Sequence, residues 1–500
     1  MMDYRGLQNG SDIRGVAMEN GEQRPVDLTD DAVRHIAKAF AIWLKERSGK
    51  EQLRIAIGRD SRLSGPRLAA CAIEGLRSEA CMVYDLGLAS TPCMFMSTVL
   101  DPLKVDGSIM ITASHLPYYR NGMKFFTPAG GLEKSDIASL AALASETRLG
   151  DCSKGFVERH GFMQVYEGYL RDKIKEGVQA SDYDHPLKGL HVIVDAGNGG
   201  GGFFVSGVLQ PLGADTGGSQ FLEPDGRFPN HIPNPEDPVA AKAVHDATLK
   251  AGADLGIIFD TDVDRAGAVL PTGQTLTRNV LIAILSDIAL QAHPGTTIVT
   301  DSVTSTGLAA FIKAHGGVHR RFKRGYRNVI DEAIRLNREG VDCQLAIETS
   351  GHGAWKENYF LDDGAYLMVK LLVELGKGRK IADMIKDLKE PAESTELRFP
   401  VTASDVQSNG DRVLALVRQE APKHPGWSLE RENYEGVRVN TDKTHGDGWF
   451  LIRKSLHEPI MPLNIESDSK GGVAVMASGI KALLEKAGGL DLKPFDNLPE

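Results

Sequence analysis

Cysteine, basic charge and long apolar runs are scarce in this sequence, and each scarcity disfavours a class of protein. None of the five cysteines forms a C-x-x-C pair, so neither a zinc site nor a disulfide framework is predicted. A reducing compartment is expected, either the cytoplasm or an organelle matrix or stroma. Without an apolar run of eighteen residues or a signal region, we expect a soluble chain. The net charge of −10 disfavours a nucleic-acid surface, because phosphate backbones select basic faces.

A unit of strand, polar loop and helix recurs along the chain. Its 500 residues, 42% of them hydrophobic, can form several cores. The strands precede polar loops that begin near Gly58, Asp195 and Asp301. This recurrence predicts three similar α/β domains with mixed, largely parallel sheets. A C-terminal α+β domain is predicted after Pro391. The expected domains are residues 1–183, 184–295, 296–395 and 396–500.

A hydroxyl, an imidazole and an amine lie close together in the stretch from Gly107 to Phe126. The strand ending at Ile111 delivers Ser114 and His115 to a loop, and Lys124 returns among hydrophobic residues. Partial desolvation there would lower the pKa of Lys124 and suit it to proton transfer. A serine hydrolase is disfavoured, because its nucleophile elbow needs glycines two residues either side of the serine. The simpler interpretation is a Ser-His pair that caps a turn.

Three carboxylates alternate after a second apolar strand, Leu255 to Phe259. Asp260, Asp262 and Asp264 would project to one side of an extended segment and offer hard oxygen ligands, which suits Mg²⁺. An EF-hand is disfavoured, because its sixth position needs glycine and holds Arg265. A solvated acidic turn is the alternative.

Three further segments offer weaker indications. The glycine tract at 197–202 satisfies many spacings, so we expect tight packing there more than dinucleotide binding. The densest cationic run lies at 320–327, which is usually a solvated face. At 348–352, alternation would place Glu348, Ser350 and His352 on one side, where a carboxylate can accept hydrogen bonds from two vicinal hydroxyls.

Together these motifs resemble the α-D-phosphohexomutases, the phosphomannomutase/phosphoglucomutase superfamily. The segment T-A-S-H at 112–115, with a lysine ten residues after the serine, is similar to the family's phosphoserine loop, although Leu116 replaces the usual asparagine. The segment D-x-D-x-D-R at 260–265 is similar to its metal loop. E-x-S-G-H at 348–352 is similar to its sugar-binding segment, and R-x-S at 453–455 to its phosphate loop. The motifs stand in family order over nearly the whole chain.

The resemblance implies four domains around a central cleft and reversible phosphate transfer between the 1- and 6-positions of a hexose, mannose or glucose. A phosphorylated Ser114 would exchange phosphate through a hexose 1,6-bisphosphate, which is both intermediate and activator. Lys124, together with His115, would move the proton, and Arg14 would surround the phosphate. The implied Mg²⁺ ligands are Ser114, Asp260, Asp262 and Asp264. The implied substrate contacts are Arg59, Arg265, Arg327, Glu348, Ser350, His352, Arg453, Ser455 and His457.

Departures in the fourth-domain loop bear on the substrate. His457 stands in place of the family's threonine, and Lys454 in place of a proline. Two alternatives therefore stay open: a phosphoglucosamine mutase, or a non-catalytic phosphosugar-binding regulator on the mutase scaffold. The presence of Ser114, Lys124 and the three aspartates favours an enzyme. Its expected partner is a small phosphosugar, with no nucleic acid or membrane.

Overall fold

The computed structural model describes residues 3–19, 25–152, 154–455 and 458–498. The chain forms two compact units. The first comprises Met1–Thr277 and Ser350–Met384, and the second comprises Arg278–Thr349 and Ile385–Glu500. Among the described residues, no helix combines the length and the apolar character needed to span a bilayer.

Helices and strands alternate along most of the described chain. The α-helices are α1 Asp30–Ser48, α2 Gly65–Arg77, α3 Thr91–Val99, α4 Lys134–Glu146, α5 Phe162–Val178, α6 Pro238–Ala251, α7 Arg278–Ala292, α8 Thr306–Ala314, α9 Tyr326–Arg338, α10 Gly364–Gly376, α11 Ile381–Met384, α12 Val406–Glu420 and α13 Gly472–Ala487. The strands are β1 Gln8–Asn9, β2 Asp12–Val16, β3 Arg54–Arg59, β4 Met82–Leu88, β5 Gly107–Ile111, β6 Arg120–Thr127, β7 Gly130–Gly131, β8 Phe156–Arg159, β9 Val192–Asp195, β10 Leu255–Phe259, β11 Ala266–Val269, β12 Thr275–Leu276, β13 Thr297–Thr300, β14 Val318–Arg321, β15 Cys343–Ile347, β16 Gly353–Trp355, β17 Leu361–Asp362, β18 Glu393–Pro400, β19 Trp427–Leu429, β20 Val437–Thr441, β21 Gly448–Ile452 and β22 Ile460–Ser467.

The first sheet of the first unit combines parallel and antiparallel strands in the order β1-β2-β6-β5-β3-β4-β8, with β7 paired to β6. Strand β3 runs parallel to β4 and β5, so the loops after β3 and β5 leave the same edge of the sheet. Strand β6 returns antiparallel to β5. Helix α1 has the predicted helical spacing and is capped by the Thr29 side chain, which accepts from the amide of Ala32.

The second sheet has the order β12-β11-β10-β9, with β9 and β10 parallel. The glycine tract at 197–202 packs closely against the loop after β10. A Cβ built on Gly199 would lie 2.9 Å from Thr261 Cα, and the amide of Gly200 donates to Thr261 O at 2.8 Å. The packing role predicted for this tract is therefore what the structure shows.

Residues 350–384 complete the first unit. Strands β16 and β17 pair antiparallel, and helix α10 begins at Gly364, whose amide donates to Val263 O at 3.1 Å. Only glycine fits this position, because a Cβ would lie 2.6 Å from the carbonyl carbon of Arg265. The start of α10 is thus pressed against the acidic loop after β10.

The second unit has a parallel set of three strands, β14-β13-β15, and an antiparallel sheet in the order β18-β22-β21-β20-β19. Arg438 joins the two. Its guanidinium donates to Ser302 O at 2.8 Å and Thr304 O at 3.2 Å, and it stacks 3.5 Å from the centre of the Trp449 ring. The predicted mixed α/β class with a C-terminal α+β region is confirmed, while the four domain boundaries stay a prediction.

Candidate active site

Ser114 lies on a tight loop that follows β5. Because β5 and β6 are antiparallel neighbours, the loop at 112–119 leads straight to the strand that carries Lys124. Ser114 has a φ of 51°, in the left-handed region that residues other than glycine seldom occupy. Its amide donates to Thr112 Oγ1 at 3.0 Å, and its side chain is buried. An uncommon backbone conformation at a buried hydroxyl is typical of functional sites.

Asp260, Asp262 and Asp264 converge after β10, but not on the extended segment predicted from their alternation. The chain turns instead, and Val263 adopts a φ of 66°, which is a genuine outlier for a β-branched residue. The three carboxylates are almost completely buried, and they offer oxygens within 4.8 Å of one another. The turn, and not a strand, therefore gathers the carboxylates.

Lys124 lies among carboxylates, whereas the sequence predicted hydrophobic surroundings. Its Nζ is 3.0 Å from Asp262 Oδ2 and in even closer contact with Asp264 Oδ2. Thr91 Oγ1 also donates to Asp262 Oδ2, at 2.5 Å. The other oxygens, Asp262 Oδ1 and Asp264 Oδ1, are buried without a hydrogen-bond partner. Two unsatisfied carboxylate oxygens in one pocket fit a cation with hard oxygen ligands.

Arg265 connects the acidic loop, residues 260–265, to the loop that carries Ser114, residues 112–119 (the serine loop). Its Nε donates to Asp260 Oδ2 at 3.1 Å, and its Nη2 donates to Ser114 Oγ at 3.1 Å and His115 Nδ1 at 2.7 Å. Ser114 Oγ in turn donates to Asp260 Oδ2 at 3.0 Å. The hydroxyl thus lies between a carboxylate and a guanidinium.

The pKa values of Asp260 and Asp264 are shifted in opposite directions. Burial raises the pKa of Asp260 well above its ordinary value, and the charge of Asp264 raises it further. Burial would also raise the pKa of Asp264, but the charges of Lys124, His352 and Arg265 outweigh it and hold that pKa below its ordinary value. Environments that push two neighbouring carboxyl groups apart in this way are common where protons and phosphates are handled.

The two histidines near the cluster differ in charge at neutral pH, because His115 is neutral and His352 is positively charged. Burial and the charges of Arg265 and Arg14 lower the pKa of His115 to about 2, so its neutral Nδ1 accepts from Arg265. The Nδ1 atom of His352 is 2.6 Å from Asp362 Oδ2 and 3.8 Å from Asp264 Oδ1. Burial disfavours its charged form, but the two carboxylates outweigh this and raise the pKa of His352 to about 9. His352 is therefore an imidazolium.

The two arginines predicted at this site, Arg14 and Arg59, bind different partners. Arg14 on β2 donates to Asp12 Oδ2 at 2.8 Å, and its charge is felt by His115. Arg59 at the end of β3 is half-buried and donates to Asp60 O at 3.4 Å.

The segment 348–352 is divided between the two units. Glu348 belongs to the second unit, where its Oε1 accepts from the amide of Gly325 at 2.6 Å. Ser350 and His352 belong to the first unit. Gly351 between them has a φ of 94°, so the chain turns here and the predicted alternation of an extended segment does not hold.

Two arginines of the second unit, Arg327 and Arg453, lie in different surroundings. Arg327, in the first turn of α9, donates to Asp331 Oδ1 at 2.7 Å. Arg453 follows β21 and is buried, and its Nε has no hydrogen-bond partner. Burial lowers the pKa of Arg453, which the charge of Glu435 opposes. Ser455 Oγ accepts from the amide of Glu458 at 3.3 Å. His457 lies outside the described residues.

Five residues at the site were not predicted. Thr91 donates to Asp262 Oδ2, Asp362 Oδ2 pairs with His352 Nδ1, and Asn234 Oδ1 accepts from Arg265 Nη1 at 3.2 Å. Asp60 and Arg62 lie beneath the serine loop. The sequence positions of Asp60 and Arg62 could have indicated that they lie near Ser114. They belong to the polar loop after β3, which must lie beside the loop after its parallel neighbour β5.

Three models of one protein family match consecutive parts of the chain. Models of the phosphoglucomutase/phosphomannomutase family match in order: alpha/beta/alpha domain I over residues 5–148, domain II over 168–273 and domain III over 277–391. A phosphomannomutase/phosphoglucomutase of Pseudomonas syringae is 30% identical, over 91% of this chain and 93% of its own length. A phosphoglucomutase of Neisseria gonorrhoeae is 29% identical, over 96% of this chain and 97% of its own.

A solved structure also matches nearly the whole chain. A phosphoglucomutase/phosphomannomutase family protein from Burkholderia thailandensis superimposes with a TM-score of 0.81 at 27% identity, covering 97% of this chain and 98% of the other. A buried hydroxyl that lies between a carboxylate and a guanidinium, as Ser114 does, is suited to accepting and donating a phosphoryl group. The chain belongs to the phosphoglucomutase/phosphomannomutase family, as its motifs predicted, and it is an enzyme of this mutase type.

Proposed function

We propose that this enzyme interconverts the 1- and 6-phosphates of a hexose, mannose or glucose, through a phosphorylated Ser114. The observation that carries the proposal is the position of Ser114 Oγ, 3.0 Å from Asp260 Oδ2 and 3.1 Å from Arg265 Nη2. A phosphate on this oxygen would bring about −1.5 to −2 charges. Arg265 is placed to bind that charge.

Asp260, Asp262 and Asp264 are proposed to hold Mg²⁺ together with an oxygen of the phosphorylated Ser114. Asp262 Oδ1 and Asp264 Oδ1, which accept no hydrogen bond from the described residues, support this ligand set. When bound, the ion would neutralise and polarise the phosphoryl group. A hexose 1,6-bisphosphate is proposed as intermediate and activator.

The first half-reaction breaks the P–O bond to Ser114 Oγ and forms one to a sugar oxygen, and the proton of the sugar hydroxyl ends on Ser114 Oγ. The second half-reaction breaks the P–O bond to the other sugar oxygen and forms the bond to Ser114 Oγ again, and the proton of Ser114 Oγ returns to that sugar oxygen. We assign the proton relay to Lys124, whose ammonium lies between Asp262 and Asp264. His115 is proposed to align Arg265, because its Nδ1 already accepts from that guanidinium.

The substrate contacts are proposed from each unit separately. In the first unit, Arg14, Arg59, Ser350 and His352 are the proposed phosphate- and hydroxyl-binding groups. In the second unit the proposed groups are Arg327, Glu348, Arg453, Ser455 and His457. Glu348 is suited to sugar hydroxyls, because a buried carboxylate accepts several hydrogen bonds.

The test of this function is Ser114→Ala, assayed with glucose 1-phosphate and mannose 1-phosphate in the presence of the bisphosphate. We expect turnover to be abolished while the fold is kept, because removing one buried hydroxyl partner costs about 1–3 kcal/mol, which is less than the roughly 5–15 kcal/mol by which a folded protein is stable. The matched control is Ser108→Ala, a buried hydroxyl on β5 that donates to Met94 O at 2.7 Å. Intact mass should show one phosphate on the wild-type protein and none on Ser114→Ala. Normal rates in Ser114→Ala would refute the assignment.

A further inference from the structure

Arg62 is completely buried beneath the serine loop. It lies in the turn between β3 and α2, and its two terminal nitrogens donate to four backbone carbonyls of the loop. Nη1 donates to Pro117 O at 2.8 Å and Arg120 O at 3.0 Å. Nη2 donates to Leu116 O at 2.6 Å and, in a still closer contact, to Ser114 O. One guanidinium thus gathers the carbonyls along the whole loop.

Asp60 holds Arg62 and extends the network to Ser114. Its Oδ1 accepts from the amide of Arg62 at 2.9 Å, and its Oδ2 lies 3.2 Å from Arg62 Nε. The same Oδ2 accepts from Thr112 Oγ1 at 2.7 Å, and Thr112 Oγ1 accepts from the amide of Ser114 at 3.0 Å. Ser114 is therefore held through its carbonyl by Arg62 and through its amide by Thr112.

A buried ion pair of this kind is not explained by stability alone. Removing two charges from water costs more than their attraction commonly returns, and well-packed apolar residues are often as stable or more so. The loop, however, must keep Ser114 in a left-handed conformation that its side chain disfavours. Four carbonyls that converge on one fixed guanidinium define that conformation.

We propose that Arg62 is a positioning residue of the mutase, which fixes the serine loop so that Ser114 Oγ stays directed at Asp260 and Arg265. The role rests on the proposed function of Ser114, and Arg62 itself touches none of the reacting groups described. Arginine is required because its planar fork spreads its N–H donors over several acceptors, whereas a lysine ammonium is a point charge with three donors.

The decisive variant is the double substitution D60N/R62M. It removes both charges together, so neither partner is left buried and unpaired, yet the four carbonyls lose their donor. We expect the variant to fold with a lower urea midpoint than the wild type, because the four carbonyls lose their donor. We also expect a kcat about 100-fold lower and a KM within about twofold, because misplacing a reacting group by about 1 Å can cost that factor. Arg62→Lys, which keeps the charge, should retain an intermediate kcat.

Hydrogen exchange provides a measurement that does not depend on activity. Peptides covering residues 112–120 should exchange faster in both variants than in the wild type. The matched control is Arg77→Met, because Arg77 also donates to a backbone carbonyl, that of Gly155 at 3.0 Å. Arg77 lies at the other end of α2, about 18 Å along the helix. This control should change neither kcat nor the exchange of residues 112–120.

The outcomes separate this proposal from the proposed function. A folded D60N/R62M variant with normal kcat would overturn the positioning role, as would faster loop exchange without loss of kcat. If the double variant failed to fold, normal kcat in Arg62→Lys would overturn it equally. A wild-type enzyme that turned over neither hexose phosphate would refute the proposed function instead, while the exchange of residues 112–120 would still show whether Arg62 holds the loop.

Discussion

The divalent cation proposed at Asp262 and Asp264 would compete with Lys124 for the same carboxylates, so replacing Lys124 should separate metal binding from turnover. In Lys124→Met the oxygens of Asp262 and Asp264 lose their ammonium partner. Two unit charges about 4 Å apart interact by about 4 kcal/mol at an effective dielectric constant of about 20. Even a third of one such interaction, about 1.4 kcal/mol, corresponds to about a tenfold change in Kd. We therefore expect Mg²⁺ to bind at least about tenfold more tightly.

Turnover should move in the opposite direction. Without its proton relay the variant should lose about 10²- to 10⁴-fold in kcat, which is the usual contribution of general acid–base catalysis. Its metal-free form should also be less stable by about 3–5 kcal/mol, because breaking a buried pair leaves uncompensated charge, and Mg²⁺ should restore that stability.

Calorimetric titration with Mg²⁺ is the assay, supported by urea midpoints with and without the ion. The matched control is Lys38→Met, since Lys38 is also buried in the first unit and paired with a carboxylate, Glu79 Oε1 at 3.2 Å. It should leave the Mg²⁺ affinity unchanged. Unchanged or weaker Mg²⁺ binding by Lys124→Met would refute the competition.

Two further predictions follow from the first unit. Chelation should stop turnover and Mg²⁺ should restore it, and Asp262→Ala should mimic chelation; full activity in a chelated enzyme would contradict the metal role. His231 lies 3.0 Å from Asp195 Oδ1 with its side chain 1% exposed, and although burial opposes it, Asp195 raises the pKa of His231. The stabilisation is thus complete below the ordinary pKa of about 6.5 and is lost as pH rises through the raised value. The urea midpoints of wild type and His231→Gln should therefore differ more at pH 6 than at pH 9, and a difference independent of pH would mean that His231 is neutral.

The local patterns were enough to identify the chemical groups of the site. Ser114 lies on the loop after one apolar strand, Lys124 lies on the strand that follows, and three aspartates come after another buried strand. Both features can therefore be read within about twenty residues. The strands themselves were equally visible, because each apolar run ends in polar loop residues. The prediction that Lys124 lies among apolar residues failed to anticipate Asp262 and Asp264, since those partners come from far along the chain.

The geometry of the site could not be read from alternation. Alternation assumes an extended backbone, and Val263 and Gly351 both have positive φ, which redirects the residues that follow them. Arg62 was missed for a related reason. Its partners are backbone carbonyls, and a carbonyl acceptor leaves no trace in the residue types of a sequence.

The first unit is discontinuous in the chain, and this has a consequence for its biosynthesis. Ser114, Lys124 and the three aspartates are all translated before Thr277, whereas His352, Asp362 and helix α10 come from Ser350–Met384. The ribosome must therefore make the 72 residues from Arg278 to Thr349, which belong to the second unit, before the first unit can be completed. At about 5–20 residues per second, the 107 residues from Arg278 to Met384 take roughly 5–20 s. For most of that interval the nascent acidic loop lacks both the imidazolium of His352 and the amide of Gly364 that donates to Val263 O in the finished unit.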